Sequence, residues 1–70
     1  MIEYAVIYEQ ATDGAWGAYL PDIPGVVALG QSRVDVAERI EEALAAYVED
    51  MRERGETLPA PHHAAGTVTA

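Results

Sequence analysis

Residues 16–25 read Trp-Gly-Ala-Tyr-Leu-Pro-Asp-Ile-Pro-Gly. The first five alternate, with Trp16, Ala18 and Leu20 on one side and Gly17 and Tyr19 on the other, as a short strand over 16–20 requires. Pro21 and Pro24 then fix two φ angles and remove two backbone donors, so a central strand cannot continue through them. Pro24-Gly25 suits the central positions of a type II turn, with Gly25 where positive φ is needed. Pro21, Pro24 and Gly25 are therefore assigned as structural turn residues. A strand followed by a rigid reversal fixes what lies on either side: an antiparallel neighbour before and another after.

Downstream, Val26 to Leu29 is an apolar run that predicts a third strand over 26–29, ended by Gly30. Ser32 suits a helix N-cap, and Asp35 three residues later adds a capping partner and a negative charge at the positive end of the helix dipole. Val36/Ala37, Ile40, Leu44, Tyr47 and Met51 then recur at spacings of three and four, the apolar stripe of an amphipathic helix. Asp35–Arg39 and Asp50–Arg54 are i,i+4 pairs, Arg52 and Arg54 favour the C-terminal end of the dipole, and Gly55 supplies the stop. The pattern predicts a helix over 33–54, about 33 Å long.

Upstream, residues 2–9 predict the first strand. Ile2, Tyr4, Val6 and Tyr8 face one way and Glu3, Ala5, Ile7 and Glu9 the other; Ile7 suggests that the second face is not fully solvated. Thr12-Asp13-Gly14 marks a hairpin connection. The tail, 56–70, is weakly patterned, with Thr67-Val68-Thr69 as a possible short strand that would lie parallel to the first. The expected architecture is α+β: a three-stranded antiparallel sheet covered by one long helix, β-β-β-α(-β), in a single domain spanning 1–70.

Seventy residues supply a core worth only about 3–5 kcal/mol, and small domains usually add disulfides, a metal or a partner. With no cysteine, association is the remaining supplement, so a homo-oligomer, dimer or tetramer, or an obligate complex is expected. Four arginines and no lysine stand against twelve acids, a net charge of −8. That surface repels nucleic-acid phosphates and anionic lipid and suits either solubility or a basic partner. No apolar run is long enough to span a membrane, and the N-terminus lacks the pattern of a secretory signal, which predicts a cytoplasmic chain.

The stretch from Trp16 to Gly25 is similar to the aromatic–x–x–Tyr–aliphatic–Pro–Asp–Leu–Pro–Gly segment of the HicB antitoxin family. Gly30-Gln31-Ser32 at the helix start, Glu41-Glu42-Ala43 within the helix and Gly55-Glu56-Thr57-Leu58-Pro59 at its exit extend the resemblance over roughly residues 3–61. Val26 stands where the family often has cysteine. Many members also carry a DNA-binding region after this domain, and the sequence ends at Ala70, so direct DNA binding is not expected of this chain. The resemblance implies a partial ribonuclease-H-like fold. It also implies the antitoxin role in a type II toxin–antitoxin pair, binding and neutralising a small basic HicA-like RNA-cleaving toxin. The alternative is an orphan oligomeric protein-binding domain of the same fold with a non-toxin partner.

The residue types offer several sites, each with an ordinary structural reading beside it. A two-metal nuclease needs carboxylates converging on ions about 3.5–4 Å apart. The middle of strand one is Tyr4-Ala5-Val6, Thr67-Val68-Thr69 has no acid, and the helix acids read as a solvated face, so no catalytic, cofactor-binding or metal residue is assigned. His62-His63 has no acid within five residues and reads as polar tail. Trp16 suits core or hairpin packing, or a partner hot spot. Asp22 suits an acceptor within its own turn, or a partner contact. Glu38, Glu41, Glu42, Glu49 and Glu53 suit solvation, or complementarity to a basic toxin that speeds its approach.

Overall fold

The structure, a computed structural model, describes residues 2–70. Strands β1 (Ile7–Gln10), β2 (Trp16–Tyr19) and β3 (Val27–Gly30) form one antiparallel sheet in the order β1-β2-β3, and helix α1 (Arg33–Glu53) crosses one face. The α+β class and the helix agree with the sequence pattern.

The first strand is shorter than the 2–9 that alternation suggested. Ile7 pairs with Tyr19, so residues 2–6 could pair only with the segment starting at Leu20. That segment turns away. Ile23 N–H donates to the Leu20 carbonyl and Val26 N–H to the Ile23 carbonyl, two reversals in succession around Pro21 and Pro24. Gly25, at φ +98°, occupies the left-handed position of the second. The same turns end β2 one residue before Leu20 and start β3 one residue after Val26. Thr67-Val68-Thr69 forms no strand, and Val68 is 96% exposed. With one apolar side chain, that segment has little burial to balance the entropy of ordering.

Helix α1 begins and ends on its own chemistry. Ser32 Oγ accepts from Asp35 N–H (3.1 Å), while the Asp35 carboxylate accepts from Gln31 N–H (3.0 Å) and Arg39 Nε (3.1 Å). The Gln31 and Arg39 contacts hold the Asp35 carboxyl below its ordinary pKa. At the far end, Gly55 N–H donates to the Arg52 carbonyl and Glu56 N–H to the Met51 carbonyl, the paired bonds of a Schellman stop.

The helix packs on β2 and β3. Ala18, Leu20, Ile23, Val26, Val36 and Ile40 form the buried core, with Tyr4, Val6, Tyr8, Trp16, Leu44 and Tyr47 packed part-buried around it. The helix stripe thus lands as its spacing predicted. Ile23, buried completely from inside the double turn, is a core residue that strand and helix periodicity does not reveal.

Candidate protein-binding surfaces

Three surfaces have the chemistry to meet another molecule: the outer face of α1, the turn at Asp22, and the sheet face opposite the helix. On α1, Glu38, Glu41, Glu42, Glu49 and Glu53 are all exposed. Glu49 reaches Arg52 at 3.8 Å. All four arginines lie between residues 33 and 54. Arg39 pairs with Asp35, and Arg54 with Asp50 and Glu56, while Arg33 lies over the Tyr8 ring, 4.7 Å from its centroid. Exposed pairs of this kind contribute roughly 0–1 kcal/mol each. Their larger effect is to neutralise the cations locally. Glu38, Glu41, Glu42 and Glu53 have no salt-bridge partner among the described residues, so the helix presents a strongly negative outer surface.

Asp22 is engaged differently from an acceptor within its own turn. Its side chain is only 3% exposed. It accepts from His62 N–H (3.0 Å) and His63 N–H (3.3 Å), and His63 Nδ1 lies 2.7 Å from Oδ1. Burial opposes its charge, but the hydrogen bonds from His63 and His62 outweigh that penalty and hold its pKa below the ordinary carboxylate value. Tyr4 Oη donates to the Pro59 carbonyl at 2.6 Å, so the tail is tied to the body at two points. A partner contact by Asp22 would have to displace these bonds. Sequence reading had no means of joining Asp22 to His62 and His63 across some forty residues.

Trp16 is half-buried and packs against the core cluster. It stands in register with Gln10 and Gly30 at the hairpin end of the sheet. The third surface was largely missed. Cross-strand partners share a face, and Ala18 with its partners Tyr8 and Ala28 faces the helix. Ile7, Tyr19 and Val27 therefore line the other side, followed by Glu9, Gly17 and Leu29. Tyr19 is 40%, Val27 61% and Leu29 77% exposed. The unbroken apolar run Val26 to Leu29 was the available signal, because a half-solvated strand would alternate. No group of three or more His, Cys, Asp or Glu side chains is placed to hold a metal among the described residues, and no helix among them is long and apolar enough to cross a membrane.

Comparison with known proteins gives three matches. Residues 4–70 match the family described as "HicB_like antitoxin of bacterial toxin-antitoxin system". The chain is 29% identical over 58 residues to the UPF0150 protein Ta0767 of Thermoplasma acidophilum, covering 83% of this chain and 84% of the relative. Its fold is similar to the crystal structure of the N-terminal domain of the Burkholderia pseudomallei antitoxin HicB. The TM-score there is 0.71 at 27% identity, over 89% of this chain and 69% of the other.

Proposed function

The chain belongs to the HicB-like antitoxin family of bacterial toxin–antitoxin systems, and from that premise we propose that it neutralises a small basic HicA-like RNA-cleaving toxin by binding it in the cytoplasm. The role is binding and not catalysis. The observation that carries this reading is the charge layout. At −8, with its arginines confined to the helix and its C-cap and mostly paired with its own acids, the chain has negative charge left over for a cationic protein. Attraction between oppositely charged proteins raises the rate of encounter and disfavours wrong partners.

Glu38, Glu41, Glu42, Glu49 and Glu53 supply the long-range part of that attraction. Trp16, at the hairpin end of the sheet, is the aromatic candidate for direct contact, and Asp22 contributes through the tail it holds. The chain acts as a homo-oligomer, dimer or tetramer. Its small core and the free outer edges of β1 and β3 among the described residues support self-association. Direct DNA binding is not part of this role, because a surface with a net charge of −8 repels phosphate.

A reading frame for a short basic protein is expected beside this gene. Co-expression of the two should restore growth that the basic protein alone arrests, and the two should co-purify. Absence of the frame, or failure both to rescue and to bind, rejects the toxin partner. It leaves an oligomeric binding domain with a different ligand.

A further inference from the structure

The helix-free face of the sheet is apolar and bare. Ile7, Tyr19 and Val27 form one cross-strand row; Glu9, Gly17 and Leu29 form the next. Exposed contiguous apolar surface on a small protein marks an interaction site. The second row is uneven. Gly17 places no side chain between Glu9 and Leu29, and an open groove of about 430 Å³ lies over this part of the sheet. A Cβ at Gly17 would stand 3.4 Å from Leu29 Cδ2, so the hollow is bounded by the leucine on one side and the glutamate on the other.

Charge selects the occupant. Glu9 is the only charged residue in these two rows, and every arginine lies on or at the end of the helix, across the sheet. A second copy laid face to face would join apolar rows. It would also set Glu9 of each copy against a face that offers no cation to balance it. A protein offering an apolar side chain beside a lysine or arginine meets both requirements.

We propose that the helix-free sheet face is the contact surface for a cationic protein, which seats an apolar side chain in the hollow at Gly17 and pairs a lysine or arginine with Glu9. This rests on the antitoxin reading and deepens it. The acids of α1 draw the basic toxin in from a distance, and the opposite face of the domain holds it.

The probe is the purified short basic protein encoded beside this chain, with association and dissociation rates measured against immobilised wild type and variants. Gly17→Val fills the hollow and suits a strand; Leu29→Gln removes its apolar wall at an exposed position; Glu9→Lys reverses the rim charge. Each should weaken binding by about 30-fold or more, chiefly through faster dissociation, as central interface residues do. Glu42→Lys, on the outer helix, should alter association alone. If wild type binds and all three sheet variants keep its affinity, the sheet face is not the contact surface, although the antitoxin reading stands. If wild type itself does not bind, the antitoxin reading fails and takes this inference with it. A wild-type dimer that Leu29→Gln converts to monomer, with toxin affinity intact, assigns the face to self-association and overturns the proposal. Should Gly17→Val misfold, Leu29→Gln still decides the matter.

Discussion

His63 Nδ1 lies 2.7 Å from Asp22 Oδ1, joining the tail to a turn 41 residues earlier. Together with the bonds from the His62 and His63 amides, it makes one nearly buried carboxylate the anchor of the C-terminal segment. Asp22→Ala should therefore release the tail without unfolding the sheet. The measurement is amide hydrogen exchange: His62 and His63 should lose protection while β2 and α1 keep theirs. Unchanged exchange at 62 and 63 would show that the tail is held by other contacts.

The same carboxylate gives the chain an acid-sensitive component. The folded-state pKa of Asp22 lies below the unfolded value, and so does that of Asp35. As pH falls, the unfolded chain takes up these protons first. Their stabilisation is therefore complete above the unfolded pKa and is lost as pH drops through the folded one. Urea unfolding between about pH 5 and pH 2 should show stability falling, with a shallower fall in Asp22→Asn and again in Asp35→Asn. An acid limb as steep as wild type in both variants would remove these two groups from the account.

Gly30 is required by a close approach. A Cβ there would stand 2.5 Å from Asp35 Oδ2 and 3.3 Å from Val36 N. Gly30→Ala forces the capping carboxylate aside and should cost about 1–3 kcal/mol, in the range of other overpacking substitutions. If the carboxylate is the main obstacle, Asp35→Ala should blunt that cost. A double-mutant cycle by urea denaturation checks this, since neighbours sharing a contact are not additive. Strict additivity would locate the strain in the backbone at Val36.

Ile23 lies fully buried in the double turn, and truncating such a residue to alanine costs about 2–5 kcal/mol. A core this small supplies a comparable total. Ile23→Ala should thus be largely unfolded alone, with weak helical circular dichroism, and should regain helix when saturated with the basic partner, because ligand binding favours the folded state by mass action. A well-folded isolated variant would mean that the turn collapses around the missing atoms.

Which features were legible in sequence follows from how local each one is. The helix from Arg33 rests on a cap and a spacing within its own residues, and the Pro24-Gly25 turn on two adjacent ones, so both could be read directly. The length of β1 could not. It depends on where β2 stops, which the prolines at 21 and 24 decide from the partner strand. The engagement of Asp22 with His62 and His63 is wholly tertiary. The bare sheet face lay between these cases: Ile7 at a nominally polar position and the unbroken run Val26 to Leu29 signalled it, but only the register showed that Gly17 leaves a hollow between Glu9 and Leu29.

The outer acids of α1 make a prediction distinct in kind from those about the sheet. Glu38, Glu42 and Glu49 are exposed, and Glu38 and Glu42 form no salt bridge among the described residues, so reversing all three to lysine changes the field while leaving the core intact. Fold stability should move little, since surface substitutions usually stay within about 0.5 kcal/mol each. Association with the basic partner should slow by about tenfold or more at low salt, and its dependence on ionic strength should flatten, because screening acts on charges beyond a Debye length. Dissociation should be unaffected. Stopped-flow association rates across a salt series separate the two effects. An association rate and salt slope equal to wild type would take the helix face out of the recognition pathway and leave its acids a solvating role.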